Sequence, residues 1–451
     1  MEANTLTVKA VSFTMCIQIF LATWLMSGTT PEFLLPMFFV SVGTFVLCII
    51  GKLFTRGGVF LSAIVWASIF FIIVCFVQYL NPFAEYVVRE TFSYITFLDY
   101  IDCLPTSVRA EFYEGNSLYS LCALLTSFLT AFVLATISTK QKTMFSLLVF
   151  FSINAFVMGI FALWQEAQGI PMPFNRFHTN SGFYGTFFLS NAAGAYLNMG
   201  VAATLACSIV CFQRKGIFVK LVAYLFVVGA FVISWASFQS GSKGAMILCS
   251  GIWGIVCVYL FLKVIVKFFG SKLFYFTVCI TGFVVCFVGI VGIYFSECQS
   301  VRNLSFGDQV NESICSRMAI YKEVFPIIKQ RPIWGTGGEC SRYILPVVKK
   351  PDGSSVAEAP ERVHSDLFEY MVDFGITGVI VLLCCGIAWI VQIVKNRKIL
   401  TSANVICVIG VLSCLTHSMF DMELHIPSTM IVFAFMSVFS FSDFEMGRTE
   451  R

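Results

Sequence analysis

Apolar residues fill this chain in long, nearly unbroken runs separated by short polar breaks. A run of about 18–24 apolar residues is the length a helix needs to cross roughly 30 Å of hydrocarbon. About twelve such spans are predicted, near 9–27, 33–50, 59–80, 117–137, 143–165, 189–212, 218–237, 244–264, 273–296, 367–393, 402–420 and 427–443. The fold class is therefore all-α and polytopic, a single integral membrane domain over residues 1–451. The first run, Val11 to Met26, lacks a basic leader and a small-x-small cleavage site, so it reads as a retained first span.

Three connections are long: 81–116, 166–188 and the largest, 297–366, between spans nine and ten. Long loops without structure of their own are uncommon unless functional. In the largest, Ile314, Met318, Tyr321, Phe325 and Ile328 recur at spacings of 4, 3, 4 and 3. That periodicity predicts an amphipathic helix over about 313–329, lying on the membrane surface or packed on the bundle. Pro332 ends it, and Trp334-Gly335-Thr336-Gly337-Gly338 is expected as a flexible turn. A weaker amphipathic piece is expected within 85–113.

Composition agrees: 58% hydrophobic against 12% charged residues leaves too little polar cover for a soluble domain of this length. Net charge is +4, and its distribution says more than its sum. Lys52/Arg56, Lys140/Lys142, Arg214/Lys215/Lys220, Lys263/Lys267/Lys272 and Lys395/Arg397/Lys398 all fall in connections on one side. The positive-inside rule makes that side cytoplasmic, with both termini, and turns the three long connections outward. No nucleic-acid partner is expected. Most of the eighteen cysteines lie within spans, as small apolar residues. Cys103, Cys298, Cys315 and Cys340 are in the outer loops, where an oxidising compartment would permit a Cys298–Cys315 bridge.

Charge is scarce inside the spans and gathers at their outer ends. Arg176, Lys243, Arg317, His364, Asp366, Glu369, Asp373, His417, Asp421 and Glu423 all lie there, as do His178 and His425. Guanidinium grips phosphate oxygens with paired donors, so Arg176 and Arg317 are candidates for a diphosphate at headgroup depth. Snorkelling to lipid headgroups, or pairing with a loop acid, is the structural alternative. Ser365 is the expected N-cap of the tenth span, which puts His364 at a helix start, a setting suited to the neutral imidazole of a general base. Asp366, Glu369 and Asp373 follow at mutual spacings of 3 and 4, on one helical face. A hydrogen-bonded interfacial histidine without chemistry is the alternative there. His417 and Asp421 stand at i and i+4 with His425 in the next turn. A hydrogen-bonded closure of the bundle is favoured over a metal site, and no metal is expected. Asn191 and Asn198 are expected to make hydrogen bonds between helices.

Taken in order, these segments resemble the O-antigen ligase and polymerase superfamily of bacterial membrane glycosyltransferases. Gly185-Thr186-Phe187 through Asn191, with Gly194, Tyr196, Leu197 and Met199 beyond, is similar to its Gly-Thr-Phe…Asn segment. Ser242-Lys243-Gly244 resembles its Ser-Arg-Gly turn. Arg317 and Pro332-Ile333-Trp334-Gly335-Thr336-Gly337 resemble its arginine helix and Pro-x-x-Gly-x-Gly stretch. His364, Ser365, Gly375 and Gly378 fit its His-to-Gly signature, and His417-Ser418…Asp421…Leu424-His425-Ile426-Pro427 resembles its closing helix pair. The resemblance runs from about 176 to 430, and the first third of the chain agrees only in span pattern. The chain departs from the pattern twice. Gly182 stands where the family usually has an arginine, leaving Arg176 as the nearest upstream, and Lys243 replaces the turn arginine and loses its bidentate fork.

The resemblance implies metal-independent glycosyl transfer without a cofactor, in a bacterial inner membrane, with the active face periplasmic. The donor would be a glycan on undecaprenyl diphosphate, and the acceptor a lipid A core sugar or a growing glycan. Arg317, with Arg176 and Lys243, would bind the diphosphate. His364 would serve the acceptor hydroxyl, supported by Asn191, Ser365, Asp366, Glu369, His417 and Asp421. A ligase is favoured over a polymerase or a protein O-oligosaccharyltransferase. A secondary transporter would suit twelve spans, but midplane charges are nearly absent, no internal repeat is found, and the long connections share one face.

Overall fold

A computed structural model of the chain describes residues 2–51, 58–88, 93–169, 182–266, 306–348, 362–397 and 401–444, with the single positions 53, 280 and 282. The helices are α1 (Glu2–Trp24), α2 (Pro31–Ile50), α3 (Val59–Leu80), α4 (Ser117–Ile137), α5 (Gln141–Gln168), α6 (Ser190–Phe212), α7 (Ile217–Gln239) and α8 (Lys243–Val266). They continue with α9 (Phe306–Gln330), α10 (Ser341–Val348), α11 (Asp366–Lys395), α12 (Ser402–Ser418) and α13 (Pro427–Phe439). Nine of these described helices are long and apolar enough to cross a membrane, and α12 and α13 are shorter apolar helices. The protein is an all-α polytopic membrane protein. The span expected over 273–296 lies outside the described residues apart from positions 280 and 282.

Local chemistry sets the helix ends. Pro31 and Pro427 occupy first-turn positions, where a missing N–H costs nothing. The Asn116 side chain caps α4 by accepting from the Leu118 and Tyr119 amides. Gly169 closes α5 in the left-handed conformation, φ 61°. In the interior, α6 is buried on every side from Ala192 to Cys211. Its run of Ala, Gly and Ser lets neighbouring helices approach closely, which is what drives association in lipid. Asn198 bonds between helices as expected: its amide donates to the Ala245 carbonyl at 3.0 Å and it accepts from Ser237 at 2.8 Å.

The connection after α3 differs from expectation. In place of an amphipathic helix within 85–113 it forms β1 (Pro82–Val88), β2 (Ser93–Phe97) and β3 (Ser107–Arg109), in the order β2-β1-β3. β1 and β2 are antiparallel, with Tyr86 opposite Ile95, and β1 and β3 are parallel. Tyr86-Val87-Val88 and Tyr94-Ile95-Thr96 are β-branched and aromatic residues that favour a pleated surface over a helix.

Helix α9 forms where it was expected and begins earlier, but its packed face is rotated. Val324 and Ile327 are buried against Leu345, Val363 and Val372, while Ile314, Met318 and Phe325 are exposed. Tyr321 and Ile328 of the expected face pack against the same cluster, so the packed stripe overlaps the expected one and is turned away from Ile314, Met318 and Phe325.

The glycine-rich turn is not a loose hinge. Gly335 to Cys340 are all buried, and the turn fills a break in α11 at Gly375, which has φ 62° and ψ −165°. The break frees carbonyls that must find donors. The Thr336 amide donates to Val372 O at 2.6 Å, the Gly337 amide to Asp373 O at 3.0 Å, and the Gln78 side chain to Asp373 O at 3.0 Å. In return the Ile376 amide donates to Pro332 O at 2.8 Å. A Cβ on Gly335 would sit 2.4 Å from Val372 O, and one on Gly375 2.3 Å from Ile333 O, so the Gly-x-Gly and Gly-x-x-Gly motifs lock into each other.

Candidate functional site

Asp421 is the hub of a polar cluster at the end of the bundle that carries α9, α10 and the start of α11. It lies after α12, in the short link to α13, and is 2% exposed. Its Oδ1 is 3.2 Å from His364 Nδ1 and accepts the Met422 amide at 3.0 Å. Its Oδ2 faces Arg317 at 3.3 Å and accepts from the Asn191 side chain. Its backbone carbonyl accepts the Asp366 amide at 3.0 Å, which ties the start of α11 to the same link. Burial alone would raise the Asp421 carboxyl, but the His364 hydrogen bond and the cationic groups around it, Arg317 included, hold it below the ordinary carboxylate range. Asn191, Arg317, His364 and Asp421, separate in the sequence, thus meet at one point.

His364 has a left-handed backbone, φ 55°, a conformation of order 1–3 kcal/mol unfavourable for a non-glycine residue unless its surroundings impose it. Tyr321 of α9 helps to impose it by donating to His364 O at 3.0 Å. The imidazole is 36% exposed, so one edge meets Asp421 while the ring remains accessible. Ser365 does occupy the N-cap position of α11, but its side chain makes no cap bond; its carbonyl accepts the Glu369 amide at 2.9 Å.

Asp366, Glu369 and Asp373 share one buried face of α11, as the spacing required. They hold the surrounding segments. Asp366 accepts the Leu424 amide at 2.7 Å and pairs with His425 Nδ1 at 2.6 Å. Tyr370 lies against the His425 ring, with centroids 4.2 Å apart. Burial would lower the His425 pKa, yet Glu369, Asp366 and Asp373 raise it to about 9. Glu369 belongs to a second cluster with Ser341 and Arg362.

His417 is turned away from His425. Its Nδ1 is 3.4 Å from Glu423 Oε1, and a Cβ added at Gly244 would lie 2.8 Å from its Nε2. The Ser242-Lys243-Gly244 turn therefore abuts His417, and Lys243 begins α8 at that point. Burial, with the nearby charges of Asp421 and Asp366, raises the Glu423 carboxyl well above its ordinary value. Donor atoms of His417, Asp421 and Glu423 all lie within 4.8 Å of one another. A cation there would share the Asp421 oxygens with Arg317, His364 and Asn191, while His417 Nδ1 and the Glu423 oxygens have no hydrogen-bond partner of their own among the described residues. His425, which the spacing grouped with His417, faces Asp366 instead. Arg176 and His178 lie outside the described residues.

Sequence reasoning missed Glu339, Arg342 and Arg362, all of them in ion pairs with 2.6–3.2 Å contacts. Arg362 stands two residues before His364, and that proximity was the available signal.

The family model described as O-antigen ligase matches residues 230–383. No curated protein matches the chain. The matched stretch contains Lys243, Arg317, His364 and the acidic face of α11, whereas Asn191, His417 and Asp421 lie outside it. Over residues 230–383, about a third of its length, the chain is therefore similar to the O-antigen ligase family, and that match supports the resemblance to the ligase and polymerase superfamily.

Proposed function

We propose that the protein is an O-antigen ligase-type glycosyltransferase, moving a glycan from undecaprenyl diphosphate to a hydroxyl of a lipid A core sugar at the periplasmic face. The carrying observation is the sharing of Asp421 by His364 and Arg317. With Nδ1–H donated to Asp421, the imidazole presents Nε2 as its proton acceptor, the tautomer a general base requires. His364 then takes the proton of the acceptor hydroxyl as its oxygen bonds to the anomeric carbon. The bond from that carbon to the diphosphate oxygen breaks, and Asp421 stabilises the imidazolium that results.

The leaving diphosphate gathers negative charge, which fixed cations offset without reorganising. Arg317 is assigned that task, with Lys243 at the neighbouring turn and Arg176 from the connection before α6. Arg317 is 23% exposed at the cluster's edge, a position consistent with both Asp421 and a headgroup-depth phosphate. No metal step is required, because the base, its orienting carboxylate and the cations are all side chains. An apolar cavity of about 200 Å³ begins at Tyr370 and Leu424, beside the cluster, and continues between α4, α11 and α13 to Trp389 and Ser437. It would shelter part of the isoprenoid chain.

The test is transfer by the purified protein from a polyprenyl-diphosphate glycan to rough lipopolysaccharide. Product on the core sugar supports the ligase; extension of the glycan on its own lipid makes the protein a polymerase.

A further inference from the structure

We propose that Arg362 is a positioning residue, whose guanidinium, clasped between Glu339 and Glu369, sets the His364 ring in register with Asp421. This rests on the reading of His364 as the base. Arg362 puts one nitrogen 2.6 Å from Glu339 and another 2.7 Å from Glu369, so both arms of the fork are engaged. The two carboxylates are almost wholly buried, at 3% and 0% exposure. Neither is a spare surface charge.

The carboxylates are themselves fixed. Glu339 lies in the turn that plugs the α11 break, with φ 63°, and its amide donates to Asp373 at 3.1 Å. Arg342 adds a second cation to Glu339 at 3.2 Å. Glu369 is on α11 and accepts from Ser341 of α10 at 3.2 Å. Arg362 is thereby bound to two segments, the glycine-rich turn and α11, which the Glu339–Asp373 and Ser341–Glu369 hydrogen bonds tie to each other and to α10.

His364 follows only two residues later. Between them, Val363 is fully buried with Val324, Ile327 and Val372. The ion clasp, the valine and the Tyr321 bond to His364 O therefore converge on a three-residue stretch. That stretch carries the left-handed backbone, which is uncommon for any residue with a β-carbon and is held here by contacts on both sides. A buried ion pair contributes little net stability against a well-packed apolar alternative, and in some proteins it fixes a geometry instead. Here that geometry is the direction of one imidazole. A lysine at 362 keeps the charge but is a single point donor and cannot bridge both acids.

The experiment uses the full-length protein in detergent with its histidines labelled with nitrogen-15. The sequence holds only four histidines, so His364 is assigned by the loss of its signals in His364→Gln. Arg362→Lys is expected to move the His364 ring-nitrogen signals while those of His417 stay in place, and to lower turnover at least tenfold with the donor KM unchanged. Glu339→Gln, which removes one arm, is expected to shift the same signals and serves if the lysine variant does not fold. Unmoved His364 signals in a folded variant overturn the proposal. Moved signals with unchanged turnover leave Arg362 as the positioning group and remove His364 from the base role.

Discussion

His364 and Asp421 are 57 positions apart, yet their Nδ1 and Oδ1 atoms lie 3.2 Å from each other. The pairing exists because the Asp366 amide and the Asp421 carbonyl bind the start of α11 to the link after α12. An imidazole oriented by a buried carboxylate, with an arginine on the same carboxylate, is the arrangement on which the proposed transfer depends. Asp421→Asn keeps the shape of the side chain and removes its charge. Turnover is expected to fall by roughly 10²–10⁴-fold, as for other carboxylates that orient a base. Steady-state transfer at saturating donor measures it.

Arg317→Ala should act on the donor. The guanidinium is assigned to the diphosphate, so the variant should require much higher donor concentrations and turn over more slowly. Arg317→Lys should recover part of the loss, because charge is retained without the fork. An unchanged donor dependence in Arg317→Ala would remove it from the phosphate site.

Stability should fall at alkaline pH. The His425 pKa is raised to about 9 in the folded protein, from an ordinary value of 6.5. A raised pKa means that the folded state holds the proton more tightly. The contribution is thus complete below about pH 6.5 and is lost as pH rises through about 9, with roughly 3 kcal/mol as its upper bound. Glu423, also raised, has the same sign. The melting temperature in detergent should drop between pH 7 and 9.5, and His425→Gln should flatten that dependence.

Gly375→Ala should destabilise strongly. The backbone is left-handed there, and the new Cβ would meet Ile333 O at 2.3 Å, so α11 and the turn after Pro332 could not stay interlocked. Gly386, by contrast, has open space at the same helix, and Gly386→Ala is the matched control. Thermal unfolding of the pair should separate them by several degrees.

Chelation should leave transfer intact. His417, Asp421 and Glu423 are spaced for a cation, but Asp421 already serves Arg317, His364 and Asn191. Activity lost in EDTA and restored by a divalent ion would assign that trio to a metal.

The spans were legible because length and apolarity alone define them, and α4 begins and ends where it was expected, at Ser117 and Ile137. The acid face of α11 was legible from helical spacing. The sheet was not, since its strands are short and lie in one polar connection. The packed face of α9 was legible in part: Tyr321 and Ile328 pack inward as expected, but a helix beside lipid can be apolar on both sides, and Ile314, Met318 and Phe325 are exposed where Val324 and Ile327 are buried. The partners of the acids were illegible for a different reason. Whether His425 meets His417 or Asp366 depends on how the short helical turn Glu423–His425 is seated, which spacing along one chain does not encode.

The central claim is tested most directly by profiling surface glycan in a deletion strain complemented with wild type, His364→Ala or Asp421→Asn, each checked for membrane insertion. The account predicts that wild type restores long glycan on lipopolysaccharide, while both variants leave polymerised glycan on its lipid carrier. Full-length glycan on lipopolysaccharide in the His364→Ala strain would contradict it.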